Sequence, residues 1–450
     1  MAHINRRGIS RRRFLQSSAA AGALVAFPMV VPARVIGANE RLNIAAIGAG
    51  GKGEVDINGC SGENIIALCD VDAKNAATMF SRYANVPHYK DFREMLDKEG
   101  KHIDAVTVST PDHTHAPAAV RAMRMGKHVY CQKPLTHTVA EARLMTRVAR
   151  EEKVATQMGN QGHSDPGLRR NVELIRGGVL GEVREAHVWT DRPIWPQGVG
   201  RPAEEPVPAT MDWDLWLAAA PVRPYSSAYA PFKWRGFWDF GTGALGDMGC
   251  HCTDVVFFAL DLPGPKSVAA TSDGGTTESP PKSSVIETMF ERQSERAAGA
   301  APLAASFRMV WYDGGKKPPA DLAKGKTLPG NGVLIVGSKD TLFVPSYWGA
   351  GVLLSGTPLE SYREIAQTLS RSKEPFDAGH YAEWIAACKG GPAALSNFDY
   401  AGPMTEALLL GNIAMRVGQK LEWDAAAMKV TNLPEAQRLI SKEYRKGWEL

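Results

Sequence analysis

The chain has 450 residues, 44% of them apolar and 22% charged. That is enough for two globular domains with separate cores, and it excludes a disordered or fibrous polymer. The formal charge of +4 belongs to the first 38 residues, where Arg6, Arg7, Arg11, Arg12, Arg13 and Arg34 occur without any acid. The remainder carries 46 basic against 48 acidic residues, a balance that gives no face for nucleic acid or an anionic membrane.

Residues 10–15, Ser-Arg-Arg-Arg-Phe-Leu, fit the S-R-R-x-F-L pattern of twin-arginine signals, with Gln16 where Lys is common. The weakly apolar run from Ser17 to Val31 is shorter than the ~20 residues of a spanning helix and contains Pro28. Residues 1–38 therefore read as a signal peptide cleaved after Ala33 or Ala38. The mature protein is expected in the periplasm or otherwise outside the cell, without a stable membrane anchor, and its first partner is the export machinery. Of the six cysteines, Cys69 and Cys131 end strand-like runs. Cys250 and Cys252 flank His251, but successive helical side chains diverge, so no metal site is expected there.

The run Arg41–Ile47 reads as a strand and leads into Gly48-Ala49-Gly50-Gly51-Lys52-Gly53. Gly48, Gly50 and Gly53 fit G-x-G-x-x-G, the turn that brings backbone and a helix N-terminus to a pyrophosphate. A second strand, Asn64–Cys69, ends in Asp70, where an acid accepts hydrogen bonds from the adenosine ribose and repels the extra phosphate of NADP; NAD is therefore the expected cofactor. Asp72 is an alternative for that role. Ile103–Ser109, His128–Cys131 and Val154–Met158 are further strands, separated by helices over Ala116–Gly126 and Thr138–Glu152. This alternation predicts a doubly wound parallel sheet, with ligands at the strands' carboxyl ends. Thr110, Pro111, His115, Lys133, Asn160 and Gln161 lie at those ends.

Beyond residue 165 the candidate strands are Val183–Thr190, Val268–Thr271, Val285–Phe290, Ala304–Tyr312, Val333–Val336 and Thr341–Val344. A run of strands after the βα units predicts an α+β second domain, closed by helices over Tyr381–Cys388 and Tyr400–Val417. A helix over Leu245–Leu260 carries Asp247 and His251 four residues apart, on one face; Asp254 competes as a partner for the histidine. Six of the 11 tryptophans fall between Trp189 and Trp238. Trp195 and Trp238 are candidate platforms for a sugar ring, although core packing also suits them. With Arg235 they form the expected substrate wall.

The glycine motif, Ser109-Thr110-Pro111 with His115, Gly126-Lys127-His128-Val129 leading to Lys133-Pro134, Asn160-Gln161 and Asp247-Met248-Gly249-Cys250-His251 together resemble the Gfo/Idh/MocA oxidoreductase family over residues 41–265, and more loosely to about 425. The resemblance implies a Rossmann domain followed by an α+β domain with a large, mostly antiparallel sheet. It places the family's Glu-Lys-Pro lysine on Lys133 and its D-x-x-x-H pair on Asp247 and His251. Gln132 departs from the family pattern, which has Glu there. The domain bounds expected are 39–165 for the NAD-binding domain, 166–425 for the substrate and oligomerisation domain and 426–450 for a C-terminal tail, in a homo-oligomer.

Histidine has the intrinsic pKa to take a hydroxyl proton near neutrality. Lys133 can stabilise negative charge on the reacting oxygen, and a bound nicotinamide takes the hydride. The expected activity is NAD-dependent oxidation of a secondary hydroxyl on a sugar, cyclitol or glycoside. Export with a retained cofactor raises an alternative, redox-neutral cleavage of glycosides by oxidation, elimination, hydration and re-reduction. A non-catalytic carbohydrate-binding protein is the third reading, disfavoured by the presence of Lys133, Asp247 and His251 together.

Overall fold

Short apolar runs in the amino half become strands that are covered on both faces. The computed structural model describes residues 41–293, 299–374 and 376–450; the expected signal peptide lies outside the described residues. Strands β1 (Asn43–Ile47), β2 (Asn64–Cys69), β3 (His88–Tyr89), β4 (Ala105–Val108), β5 (His128–Cys131) and β6 (Thr156–Met158) form a sheet in the order β3-β2-β1-β4-β5-β6. All neighbours are parallel. Every residue of β4 and β5 is buried, as a parallel strand between two helical layers requires. The layers contain α1 (Lys52–Gly59), α2 (Ala77–Arg82), α3 (Phe92–Glu99), α4 (Asp112–Arg124) and α5 (Val139–Glu152). α5 opens in a capping box between Thr138 and Glu141, which fixes its start against β5. The strand order reverses between β1 and β4, and their carboxyl ends frame a crevice.

α6 (Pro166–Arg176) leads into a nine-stranded second sheet. Its members are β7 (Val183–Trp189), β8 (Ser267–Asp273), β9 (Ser283–Glu291), β10 (Leu303–Tyr312), β11 (Gly332–Gly337), β12 (Thr341–Val344), β13 (Val352–Leu353), β14 (Leu421–Asp424) and β15 (Lys429–Val430). Their order is β13-β12-β11-β7-β10-β9-β8-β14-β15. β7 and β10 run parallel, and the other pairs are antiparallel. α7 (Trp213–Leu217), α8 (Gly243–Cys252) and α9 (Asp254–Leu260) come from the long excursion between β7 and β8. α10 (Phe376–Cys388) and α11 (Phe398–Val417) return to the first sheet. There Arg143 of α5 pairs with Glu406, and the Gln157 amide donates to the His380 carbonyl at 2.7 Å. Among the described residues no helix is long and apolar enough to cross a membrane.

Two local readings change. The helix expected over 245–260 is two helices. The Thr253 hydroxyl donates to the Gly249 carbonyl at 2.8 Å, a side-chain bond that favours a bend, and the axis restarts at Asp254. The segment expected as a C-terminal tail is built into the body: it supplies β15 and α12 (Pro434–Gln437), and then crosses α5. There Ala140 donates to the Ile440 carbonyl at 2.9 Å, and the Glu141 carboxylate takes Lys442 at 2.9 Å and the Tyr444 hydroxyl at 2.8 Å.

Candidate active site

A cleft of about 570 Å³ opens at the carboxyl ends of the first sheet, and its lining runs from the glycine turn to Asp247 and His251. The turn works because its glycines admit close backbone approach. Gly48 has φ +86°, and a Cβ there would lie 2.7 Å from the Ser109 carbonyl oxygen; one on Gly53 would lie 2.0 Å from that of Gly48. Gly48 and Gly50 line the cleft, whereas Gly53 is the close-packing position behind it. Asp70, at the end of β2, accepts from the Ala49 and Gly50 amides at 2.9 Å each, and from Asp72 N at 2.9 Å. Burial raises its pKa, against these hydrogen bonds. The acid therefore shapes the turn as well as lining the cleft. Thr110 and Pro111 line the same wall, and the Thr110 hydroxyl oxygen is buried without a partner. Closely approached glycine backbone, a carboxylate at the lip and an orphan hydroxyl suit a dinucleotide.

At the other end, the Lys133 ammonium sits at the end of β5. It donates to the Asp247 carboxylate at 2.7 Å and to the Asp247 carbonyl at 2.9 Å. Arg235 Nε lies 3.2 Å from the same carboxylate oxygen and Arg192 Nε 3.8 Å from the other. Burial raises the Asp247 pKa, but Lys133 and Arg235 outweigh it and hold the carboxyl at about 2. One turn along α8, His251 reaches the cleft; its Nδ1 is buried without a partner. Burial and then the Lys133 charge push the imidazole well below its ordinary pKa, while Asp247 pulls the other way. The result at neutral pH is a carboxylate and an uncharged imidazole on the wall that carries Lys133.

Arg235 is held from behind. Its Nη1 donates to both oxygens of Asp112 at 2.8 and 3.0 Å, and Asp112 also accepts from Thr242 N at 3.1 Å and Thr242 Oγ1 at 2.7 Å. This fully buried carboxylate ties the start of α4 to the start of α8. Arg235 and Trp195 line the cleft, with the guanidinium carbon 5.9 Å from the Trp195 ring centroid. Gln161 lines it too.

Three expected contacts lie elsewhere. His115 is buried, with its ring nitrogens 2.9 Å from the Pro134 carbonyl and 2.8 Å from the Thr110 carbonyl; it joins two loops behind the cleft wall. Asn160 is fully buried against Ser396. Trp238 turns its indole N–H to the Thr276 carbonyl at 3.2 Å and lines a separate 220 Å³ pocket beneath Arg416. Asp254 does not compete for His251, because it pairs with His163 at 2.9 Å and with the Tyr400 hydroxyl. Cys250 and Cys252 are buried free thiols. Conversely, sequence reading missed Lys52, Arg192 and Trp448, which line the cleft, and Asp112 behind Arg235. Only Lys52, inside the glycine motif, carried a local signal.

Residues 42–160 match the family model described as oxidoreductase family, NAD-binding Rossmann fold, and residues 183–280 match that family's C-terminal alpha/beta domain. Residues 8–28 match the twin-arginine translocation signal sequence, which directs export by that pathway. Inositol 2-dehydrogenase of Salmonella typhimurium is 28% identical over 132 residues, 29% of this chain and 39% of that protein. Rhizopine catabolism protein MocA of Rhizobium meliloti is 28% identical over 144 residues, 32% of this chain and 45% of that protein. The matched stretch thus spans less than half the length of these curated relatives. In fold, the chain is similar to the WlbA dehydrogenase from Bordetella pertussis, solved with NADH and UDP-GlcNAcA. The TM-score is 0.58 at 16% identity, over 86% of this chain and 99% of that one. With both domains matched, the chain belongs to the Gfo/Idh/MocA oxidoreductase family, as a member exported by the twin-arginine pathway.

Proposed function

We propose that the protein oxidises a secondary hydroxyl of a sugar, cyclitol or glycoside with NAD. The observation that carries this reading is the Lys133–Asp247–His251 cluster in the same cleft as the glycine turn. An ammonium has three N–H donors. Lys133 spends two on Asp247 and keeps one for the substrate oxygen, where it stabilises negative charge as the proton leaves. His251, uncharged because of burial and Lys133, accepts that proton. Asp247 fixes the lysine and offsets its charge. Arg235 and Trp195 bound the substrate's position. A dinucleotide held by Gly48, Gly50, Asp70, Thr110 and Pro111 supplies the hydride acceptor. The Asp70 carboxylate favours NAD over NADP, since a 2′-phosphate beside it is repelled.

A second reading, redox-neutral cleavage of a glycoside, is favoured by the cleft mouth. Ile194 and Phe232 line it and are 61% and 57% exposed; an apolar aglycone would cover them, whereas a bare cyclitol has nothing apolar to offer. Oxidation of the sugar acidifies the adjacent C–H, the aglycone leaves by elimination, water adds, and the hydride returns. Mass spectrometry of the ligand released on denaturing the exported protein tests the cofactor assignment. Near-stoichiometric NAD is expected. An empty protein that binds NADP in preference to NAD contradicts the role given to Asp70. Release of phenol from phenyl glycosides without net reduced nicotinamide selects the redox-neutral reading; accumulation of reduced nicotinamide selects simple oxidation.

A further inference from the structure

Beneath the cleft floor lies a fully buried carboxylate to which the proposed reaction assigns no part. Asp56, one turn into α1, is 0% exposed. It accepts from Ser109 Oγ at the end of β4 at 2.6 Å and from the Tyr381 hydroxyl of α10 at 2.6 Å. The Gln132 amide at the end of β5 donates to its two oxygens at 3.0 and 2.9 Å. Lys52, whose ammonium lies 3.4 Å away and lines the cleft, is the cation next to it. In the amide orientation that satisfies its neighbours, Gln161 accepts from Lys52 at 3.0 Å and from the Tyr130 hydroxyl at 3.0 Å.

This arrangement gives the Gln132 departure a physical reason. A glutamate at 132 would set a second buried carboxylate about 3 Å from that of Asp56, and two such groups cannot both ionise. We propose that Asp56 is a positioning residue that supplies, from α1, the one negative charge this floor accommodates. It keeps position 132 neutral and holds the Lys52 ammonium over the start of α1, where the dinucleotide's phosphates are received. The inference rests on the dinucleotide reading of the cleft. It assigns Lys52 a direct part in binding the cofactor's charge, and it makes positions 56 and 132 interchangeable in charge: one carboxylate, on either side, but not two.

The test is calorimetric binding of NAD to the full chain at low and high salt, with thermal unfolding measured alongside. K52M is expected to weaken NAD ~10-fold and to flatten the salt dependence, and K52R to stay within ~3-fold of wild type. Q132E is expected to lower the unfolding midpoint and weaken NAD at least ~10-fold, and D56N/Q132E to recover both most of the way. A K52M protein with wild-type affinity and salt slope overturns the proposal, as does a double variant no better than Q132E. If Q132E does not fold, the K52M and K52R pair still decides, because Lys52 is partly exposed. A wild-type chain that binds neither NAD nor NADP sinks the dinucleotide reading itself. In that case the recovery of the unfolding midpoint in D56N/Q132E still reports the charge balance.

Discussion

Asp247 sits between two groups with opposite needs. Its carboxylate orients Lys133 at 2.7 Å and favours a protonated His251, whereas burial and Lys133 favour the uncharged ring. Burial and the cations win, so the imidazole is uncharged at neutral pH. Removing the anion removes the charge that raises the His251 pKa. D247N should therefore lower kcat ~10- to 100-fold through the loosened lysine, and should move the acid limb of kcat/KM to lower pH. A pH–rate series checks this; a limb that moves upward would mean that a group other than His251 is titrating. Lys133, Asp247 and His251 were legible in the sequence because each lies in a local motif. Arg192, Asp112 and Trp448 were not. Arg192 meets Asp247 across 55 residues of chain and Asp112 meets Arg235 across 123, and no local pattern encodes such a pairing.

At the scale of elements, the site depends on α8 being held in register with α4. Asp112 makes that connection, and an amide in its place would turn a donor toward Arg235 or Thr242. D112N should cost roughly 3 kcal/mol of stability, as breaking a buried pair does, and should also raise KM as Arg235 loses its anchor. Denaturant unfolding and steady-state kinetics check both; unchanged stability would show that Arg235 finds another partner. The strands were readable because apolar runs such as Ala105–Val108 and His128–Cys131 end at recognisable turns. The break at Thr253 was not, since the apolar pattern continues unbroken from α8 into α9 and the bend comes from one hydroxyl. The closing segment escaped for a related reason. Ile440 and Trp448 are single apolar anchors in a polar stretch, without a period to announce them, yet Trp448 is buried beneath Arg93, whose guanidinium carbon is 3.9 Å from the ring centroid.

Across the whole molecule, several histidines are buried uncharged at the joins between elements. His113 faces the Trp216 and Phe240 carbonyls, and His380 the Met158 carbonyl and Ser164. Burial lowers the pKa of both to about 3 and that of His128 to about 4. Below an unfolded value of 6.5 the unfolded chain gains protons that the folded chain refuses. Stability is therefore full above pH 6.5 and is lost as pH falls toward 4. Three such groups give a slope of up to ~4 kcal/mol per pH unit. Denaturant unfolding from pH 7 to 4 checks this; a flat profile would contradict neutral burial. Export through the twin-arginine pathway suits such a molecule. That route carries a folded protein, and a dinucleotide bound between the first sheet and the Lys133–Asp247–His251 wall could travel with it.

The most direct test of the central claim is the near-ultraviolet absorbance of reduced nicotinamide after mixing NAD-loaded protein with a panel of sugars, cyclitols and glycosides. Wild type should form reduced nicotinamide, transiently or as product, with at least one class. K133M and H251A should form it ~10²- to 10⁴-fold more slowly while still binding NAD. Equal rates in wild type and both variants would contradict the assignment of this cleft wall as the catalytic one.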